Sequence, residues 1–265
     1  MSSIFSRVER FARVASTNDV VRGWLADGLG EVAIASADEQ TAGRGRAGRT
    51  WTAPAGTSLL LSVGFRPTYL EPERTWLLGA VVAVAMAEAA EGVAALPPLT
   101  VRLKWPNDLV LETADGYRKV GGVLGESTGL GTDEVRAIVG IGVNVGWLPE
   151  DVPIELASTM TTLGAVARAP LTVERLGEAF LDRLPDAMTR LRDDAFAMST
   201  WTDRQVTTGR EVILELPGGS RREAHAEGVD PRSGALLISP PSVDGPAIPI
   251  HAAEIVHVRL ARHGL

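Results

Sequence analysis

Apolar residues recur along this chain in two rhythms. Short apolar runs bounded by Gly, Pro, Asn or Asp predict strands at Phe11–Ala15, Val32–Ala37, Ser58–Phe65, Val101–Trp105, Asp108–Glu112, Lys119–Glu126 and Glu134–Val145. Helical spacing begins at Ser16-Thr17-Asn18-Asp19 and runs to about Leu29, and returns over Glu73–Glu91 and Val173–Asp194, with an expected extension through Ala195–Gln205. The Ala/Val-rich Glu73–Glu91 stretch has almost no polar face, so it should be buried all round. Gln40–Arg49 is a polar loop rich in Gly and Arg, and Leu148–Leu163 is an irregular Pro/Glu-rich segment expected to be mobile. After Thr207 the pattern turns to alternation, as in Glu211-Val212-Ile213-Leu214-Glu215-Leu216, followed by Pro-Gly-Gly and further short strands. This predicts a small antiparallel β-barrel. The chain therefore reads as an α+β body over 1–206 and a β-rich module over 207–265. No repeat or low-complexity tract appears.

The 265 residues, 45% hydrophobic and 22% charged, suit a globular chain and exclude a disordered or fibrous one. There is no cysteine, which removes disulfides, thiolate metal sites and a cysteine nucleophile, and suits a reducing cytoplasm. The longest uncharged apolar run, Leu77 to Ala87, is short for a bilayer span. Arg7, Glu9, Arg10 and Arg13 break up any signal-peptide core. A net charge of −7 argues against general binding of nucleic-acid backbone.

The scarce residue types narrow the chemistry. All four histidines (His225, His251, His257, His263) lie near the C-terminus, so the body has neither a Ser-His-Asp triad nor a histidine metal site. Arg outnumbers Lys 24 to 2, the two lysines being Lys104 and Lys119, and the three asparagines are Asn18, Asn107 and Asn144. Gly43-Arg44-Gly45-Arg46-Ala47-Gly48-Arg49 satisfies GxGxxG formally, but no helix follows it, so the dinucleotide reading is rejected. The loop is either a solvated basic turn or an anion clamp in which mobile guanidinium forks grip phosphate or carboxylate and order on binding. Lys119 precedes Gly121 and Gly122, which allow ligand atoms close to the backbone. In Trp105-Pro106-Asn107-Asp108 a rigid turn can aim Asn107 and Asp108 inward. Asn144, in an apolar strand, needs hydrogen-bond partners from the core or a ligand. Ser16-x-x-Asp19 has the spacing of a capping box, although hydroxyls and an amide there can also hold a polar ligand, as can Gln40. No GxxxxGK[ST] is present, which excludes a Walker-type NTPase.

In order along the chain, Ser16-Thr17-Asn18, Gln40-Thr41-Ala42-Gly43-Arg44-Gly45-Arg46-Ala47-Gly48-Arg49 with Trp51, Lys104-Trp105-Pro106-Asn107-Asp108, Lys119-Val120-Gly121-Gly122 and Gly140-Ile141-Gly142-Val143-Asn144 resemble the biotin protein ligase family. The resemblance covers about Phe11 to Val145 by motif and the rest by layout. It implies a class II synthetase-like catalytic domain, a mixed β-sheet with flanking helices, joined to a small SH3-like β-barrel. It also implies a biotin–[biotin carboxyl-carrier protein] ligase that makes biotinyl-5′-AMP from biotin and ATP with Mg2+. The biotinyl group then passes to one lysine of a carrier domain of an acyl-CoA carboxylase. Carried over by position, Ser16, Thr17, Asn18, Gln40, Gly43, Trp51, Gly121 and Gly122 would surround biotin. Arg44, Gly45, Arg46 and Lys119 would bind both its carboxylate and the α-phosphate. Asn107 and Asn144 would face ATP, with Mg2+ possible near Asn107 and Asp108, and Asp108 would receive the carrier amine. Lys119, Arg44, Arg46 and Asp108 would thus be the catalytic set.

Only 15 residues precede Ser16-Thr17-Asn18, so DNA-binding regulation is not expected, and monomer and homodimer both stay open, no pairing edge being identifiable in the sequence. The competing readings are a lipoate or octanoate protein ligase of the same superfamily and a nucleic-acid-binding regulator using the arginine loop. The Gly-Arg-Gly-Arg-x-Gly-Arg loop with Lys-Trp-Pro-Asn-Asp favours biotin.

Overall fold

A computed structural model describes residues 4–216, 218–239, 246–251 and 254–258. In chain order the body comprises β1 (Arg7–Val14), α1 (Thr17–Ala26), β2 (Ala33–Gln40), β3 (Ser58–Phe65), α2 (Leu77–Val93), β4 (Arg102–Lys104), β5 (Asp108–Thr113), β6 (Gly116–Thr128), β7 (Arg136–Asn144), α3 (Val173–Arg192) and α4 (Met198–Thr202). β8 (Arg210–Glu215), β9 (Arg221–Val229), β10 (Leu236–Ser239), β11 (Ile248–Ile250) and β12 (Glu254–Val258) follow.

The first seven strands form one sheet in the order β1-β2-β3-β7-β6-β5-β4. Only β1 and β2 are parallel, joined through α1; every other neighbouring pair is antiparallel. β3 is buried at all eight positions, which is why it reads as an unbroken apolar run. α2 lies between the sheet and α3, so nearly every face of it is covered. Together with the turn before it, Pro72–Val93 is long and apolar enough to cross a membrane, but here it is mostly buried in the fold.

The last five strands form an antiparallel sheet in the order β11-β10-β9-β8-β12, consistent with an SH3-like module. Positions 217, 240–245, 252–253 and 259–265 of the expected module lie outside the described residues. Its inward residues Val212, Leu214, Ala224, Ala226, Leu236 and Ile238 join the apolar core of the body. Two tryptophans fasten it: Trp76 Nε1–H donates to Arg232 O (3.0 Å) and Trp105 Nε1–H to Gly234 O (3.0 Å). Gly234 has φ +70°, and a Cβ there would lie 2.6 Å from the Trp76 ring. Only glycine fits that contact.

Two expectations are corrected. Ala195–Gln205 does not extend the helix of α3: Asp194 turns to φ +53° after α3 ends, and α4 is a separate short helix. Helix α2 starts at Leu77, because Pro72–Arg74 forms a 3-10 turn instead. The chain beyond α4 then runs beside β4. Leu103 N–H donates to Arg204 O, Val206 N–H donates to Leu103 O, and Thr207 Oγ1 accepts from Trp105 N–H.

Arg204 anchors this segment through a bidentate pair with Glu91 of α2 (2.7 and 2.9 Å), both groups nearly sealed from solvent. Glu91 also accepts from Val101 N–H, and Arg204 donates to Val101 O. A pair so deep is destabilising to break and nearly neutral to replace by apolar residues of similar volume. Glu91→Ala is therefore expected to lower the unfolding free energy by about 3–5 kcal/mol, and the double change Glu91→Leu with Arg204→Met by far less. Urea denaturation of the three proteins measures both.

Candidate active site

The floor of the site is the start of α1, where buried Thr17 and Asn18 are polar residues in an apolar setting. The expected capping box does not form. Ser16 holds the N-cap position with extended backbone, but its side chain caps nothing. Gln40 at the end of β2 does this instead: its Oε1 accepts from Thr17 N–H (2.7 Å) and Thr17 Oγ1–H (3.0 Å). Ser62 Oγ in β3 lies within hydrogen-bonding distance of Thr17 Oγ1 (2.7 Å) and Asn18 Oδ1 (2.6 Å), its one proton serving one of them at a time, and Asn18 Nδ2 donates to Glu126 Oε2 (2.6 Å). A Cβ at position 140 would lie 2.3 Å from Asn18 Oδ1, so glycine there is what admits the amide.

Asp19, freed from capping, accepts two hydrogen bonds from the terminal nitrogens of Arg44 (2.8 Å each) and pairs with Arg22. Arg22 reaches on to Glu126 (2.8 Å), which lies 3.6 Å from Arg44. The Arg44 guanidinium holds the Asp19 carboxyl below its usual range, and Asp19 in turn raises the guanidinium. The arginine loop itself turns tightly: Gly45 N–H donates to Arg49 O, and Trp51 N–H to Gly43 O.

Trp51 brings its indole down onto the sheet. A Cβ at position 142 would lie 2.7 Å from ring carbons of Trp51, and one at position 122 would lie 3.5 Å from the same ring. The missing side chains of β6 and β7 thus make the bed of the indole. Trp51 Nε1 is buried with no hydrogen-bond partner, an unmet donor at the wall of the site.

Lys119 lies beside this ring, its Nζ 5.5 Å from the centroid and 2.6 Å from Asp108 Oδ1. Its aim is set by a slip in register: Leu109 faces Gly121 but Val110 faces Lys119, leaving Val120 as an extra residue. The main chain of Lys119 is then satisfied by another segment. Its N–H donates to Thr159 O and its C=O accepts from Thr161 N–H (2.8 Å each). The 148–163 stretch, expected to be free, is laced to the sheet here. Asn107 closes the Trp-Pro-Asn-Asp turn onto β6, donating from Nδ2 to Val123 O (2.8 Å) while its own C=O accepts from Val123 N–H. The Trp105–Pro106 bond is cis. Asn144 is buried between Ser58 (3.4 Å) and Thr161 O (3.3 Å).

These groups enclose a cavity of about 550 Å³. Ser16, Thr17, Asn18, Gln40, Arg44, Gly45, Arg46, Trp51, Asn107, Asp108, Lys119, Gly122 and Asn144 all line it. Gly43 and Gly121 do not. Gly43 backs onto the Trp51 carbonyl and Gly121 onto the Gly142 carbonyl, so both act from behind the wall. Five cations line it, Arg44, Arg46, Arg49, Lys104 and Lys119. Trp147, Leu156 and Met160 supply apolar surface, with Thr159 beside them, and Met160 bridges to the Lys119 main chain. Glu215 reaches the rim from β8, and Tyr117 lines the wall with its hydroxyl pKa raised mainly by burial. The sequence did not point to Glu126, although alternation along β6 from Gly122 through Leu124 was a signal for it. The family resemblance implies an adenosine-side loop at about Trp147–Ala157 without naming contacts, and the lining surface here comprises Trp147, Leu156, Thr159 and Met160. Among the described residues no three His, Asp or Glu side chains converge as a metal cluster.

Residues 10–144 match the model of the biotin/lipoate A/B protein ligase family. The chain is 30% identical over 258 residues to a biotin–[acetyl-CoA-carboxylase] ligase of Mycobacterium tuberculosis, covering 96% of this chain and 86% of that protein. It is 35% identical over 243 residues to the Paracoccus denitrificans enzyme of the same name, covering 87% and 93%. Its fold is similar to that of the biotin protein ligase of Aquifex aeolicus in complex with biotin and ATP, with TM-score 0.74 and 26% identity over 96% of this chain and 99% of that one.

Two outcomes test the geometry. Gly142→Ala should lift the Trp51 indole off the sheet at a cost of about 1–3 kcal/mol, seen in urea denaturation and as faster amide exchange over residues 43–51. Arg44→Ala should raise the Asp19 titration midpoint toward the ordinary carboxylate range, read by carboxyl NMR.

Proposed function

The chain belongs to the biotin/lipoate A/B protein ligase family, and we propose that this cavity carries the two half-reactions of an ATP-dependent biotin protein ligase. In the first, a biotin carboxylate oxygen attacks the α-phosphorus of MgATP and pyrophosphate leaves, giving biotinyl-5′-adenylate. In the second, a carrier lysine amine attacks the acyl carbon, AMP leaves, and the amine loses a proton. The acceptor is a carrier domain of the acetyl-CoA carboxylase type.

The observation that carries this reading is that a fixed cation and a cationic loop line one cavity. Lys119 is seated by Asp108 and Trp51, and Arg44 and Arg46 join it from the loop. The first step presses two oxyanions together and expels a third. Cations placed beforehand lower that barrier, and positioning alone can supply about 7–11 kcal/mol. No covalent enzyme intermediate is needed, which agrees with a site lacking Cys and His.

We assign the polar start of α1, with Gln40, to the biotin ring, and Trp51 to the wall beside it. Arg44, Arg46 and Lys119 take the carboxylate and α-phosphate. The Trp147–Met160 surface and Asn144 form the nucleotide side. Magnesium would arrive on the phosphates of ATP. Asp108, next to Asn107 in the turn, would offer it a carboxylate, and one or two carboxylates plus phosphates and waters suffice for this ion. In the second step Asp108 accepts a hydrogen bond from the carrier amine, orienting it and taking up the proton it loses as the amide bond forms.

The expected division of the chain into 1–206 and 207–265 fits the two sheets, although their cores are continuous. We place carrier docking along β6, where β5 pairs only as far as Gly122 and the edge beyond Val123 carries no further strand among the described residues. The same edge is where a homodimer would pair. The Cys-free composition suits a cytoplasmic enzyme, and no DNA-binding role is assigned.

Pyrophosphate exchange into ATP should be driven by biotin. Exchange driven by lipoate or octanoate but not biotin would replace this reading with the lipoate one. Lys119→Ala and Arg46→Ala should each lower the biotin-driven rate by about 100-fold or more with the fold intact by circular dichroism.

A further inference from the structure

Asp19 has no part in either half-reaction as assigned above, although its partner Arg44 does. Asp19 is absent from the cavity lining, yet its carboxylate takes both terminal nitrogens of a guanidinium that does line it. We propose that Asp19 is a positioning residue: it tethers the arginine loop to α1 so that Arg44 meets the ligand anion already oriented. This rests on the biotin ligase reading and deepens it.

Three observations support the tether. First, the two bonds to Asp19 use only the terminal nitrogens of Arg44. A guanidinium has a second two-donor edge through Nε, so the tether and a bound anion need not compete. Second, Asp19 is itself held. Arg22 pairs with both Asp19 and Glu126, and Glu126 accepts from Asn18 on the pocket floor. The loop is thereby keyed to the residues assigned to the biotin ring. Third, the four groups Asp19, Glu126, Arg22 and Arg44 balance in charge, so the network leaves no surplus anion to repel the substrate. Its stretch from Gly43 to Gly48 includes three glycines. Such a loop is costly to order at the moment of binding, and a prior anchor removes part of that cost.

The groups are half exposed, so the effect should be moderate. Asp19→Asn should raise the KM for biotin in pyrophosphate exchange about three- to tenfold with kcat changed less than about twofold. Asp19→Glu should restore most of the loss. In an Arg44→Ala background, whose residual exchange is followed at high enzyme concentration, Asp19→Asn should add nothing further to KM. The thermal midpoint of each protein is recorded alongside. An unchanged or lowered KM in Asp19→Asn would overturn the tether, the latter by showing that Asp19 competes with the ligand. An equal rise in the Arg44→Ala background would also overturn it, because Asp19 would then act through α1 alone. Failure of the wild-type protein to exchange with biotin would sink the ligase reading instead, a distinguishable result.

Discussion

The contact on which the site depends is the flat approach of the Trp51 indole to two strands that lack side chains beneath it. Positions 122 and 142 have no Cβ, and the ring fills that space. From this one contact follow the closure of the arginine loop, whose Gly43 carbonyl accepts from Trp51 N–H, and the placing of Lys119 near the ring. Any side chain at Gly142 would push the ring outward and take the loop with it. The glycines of this sheet are thus a shaped bed, and flexibility has little to do with their presence.

Charge is arranged around that contact in two tiers. Lys119 has a carboxylate beside it and a main chain bonded on both sides, so its position is fixed. Arg44 sits on a glycine-bearing turn whose flanking peptides pair across it, and its guanidinium is held by Asp19. The site thus has one cation fixed by the sheet and a second held by a tether to α1.

Much of this was legible in the sequence because local rules and tertiary demands agree. Ser58–Phe65 is apolar throughout because both faces are covered, and Glu73–Glu91 lacks a polar face because the sheet and α3 enclose it. The scarcity of Lys and Asn pointed to Lys119, Asn107 and Asn144, and all three reach the cavity. The misreadings have physical causes. Asp19 has the spacing of a cap, but a guanidinium from a distant loop outcompetes the backbone for it. The break after α3 depends on one left-handed residue, Asp194, which no helix-forming pattern announces. Trp147 is held at the cavity by its indole N–H bond to Ser58, and Met160 by the 159–161 main chain bonding to Lys119, long-range pairings that leave no local mark.

The pairing at Lys119 also joins two halves of the pocket mechanically. The backbone of Lys119 is bonded on one side to Thr159 and on the other to Thr161. Any displacement of the 159–161 segment is passed to the ammonium as a shift of its own peptide units. Whatever influence occupancy of one half exerts on the other along this route must, by thermodynamic linkage, be mutual.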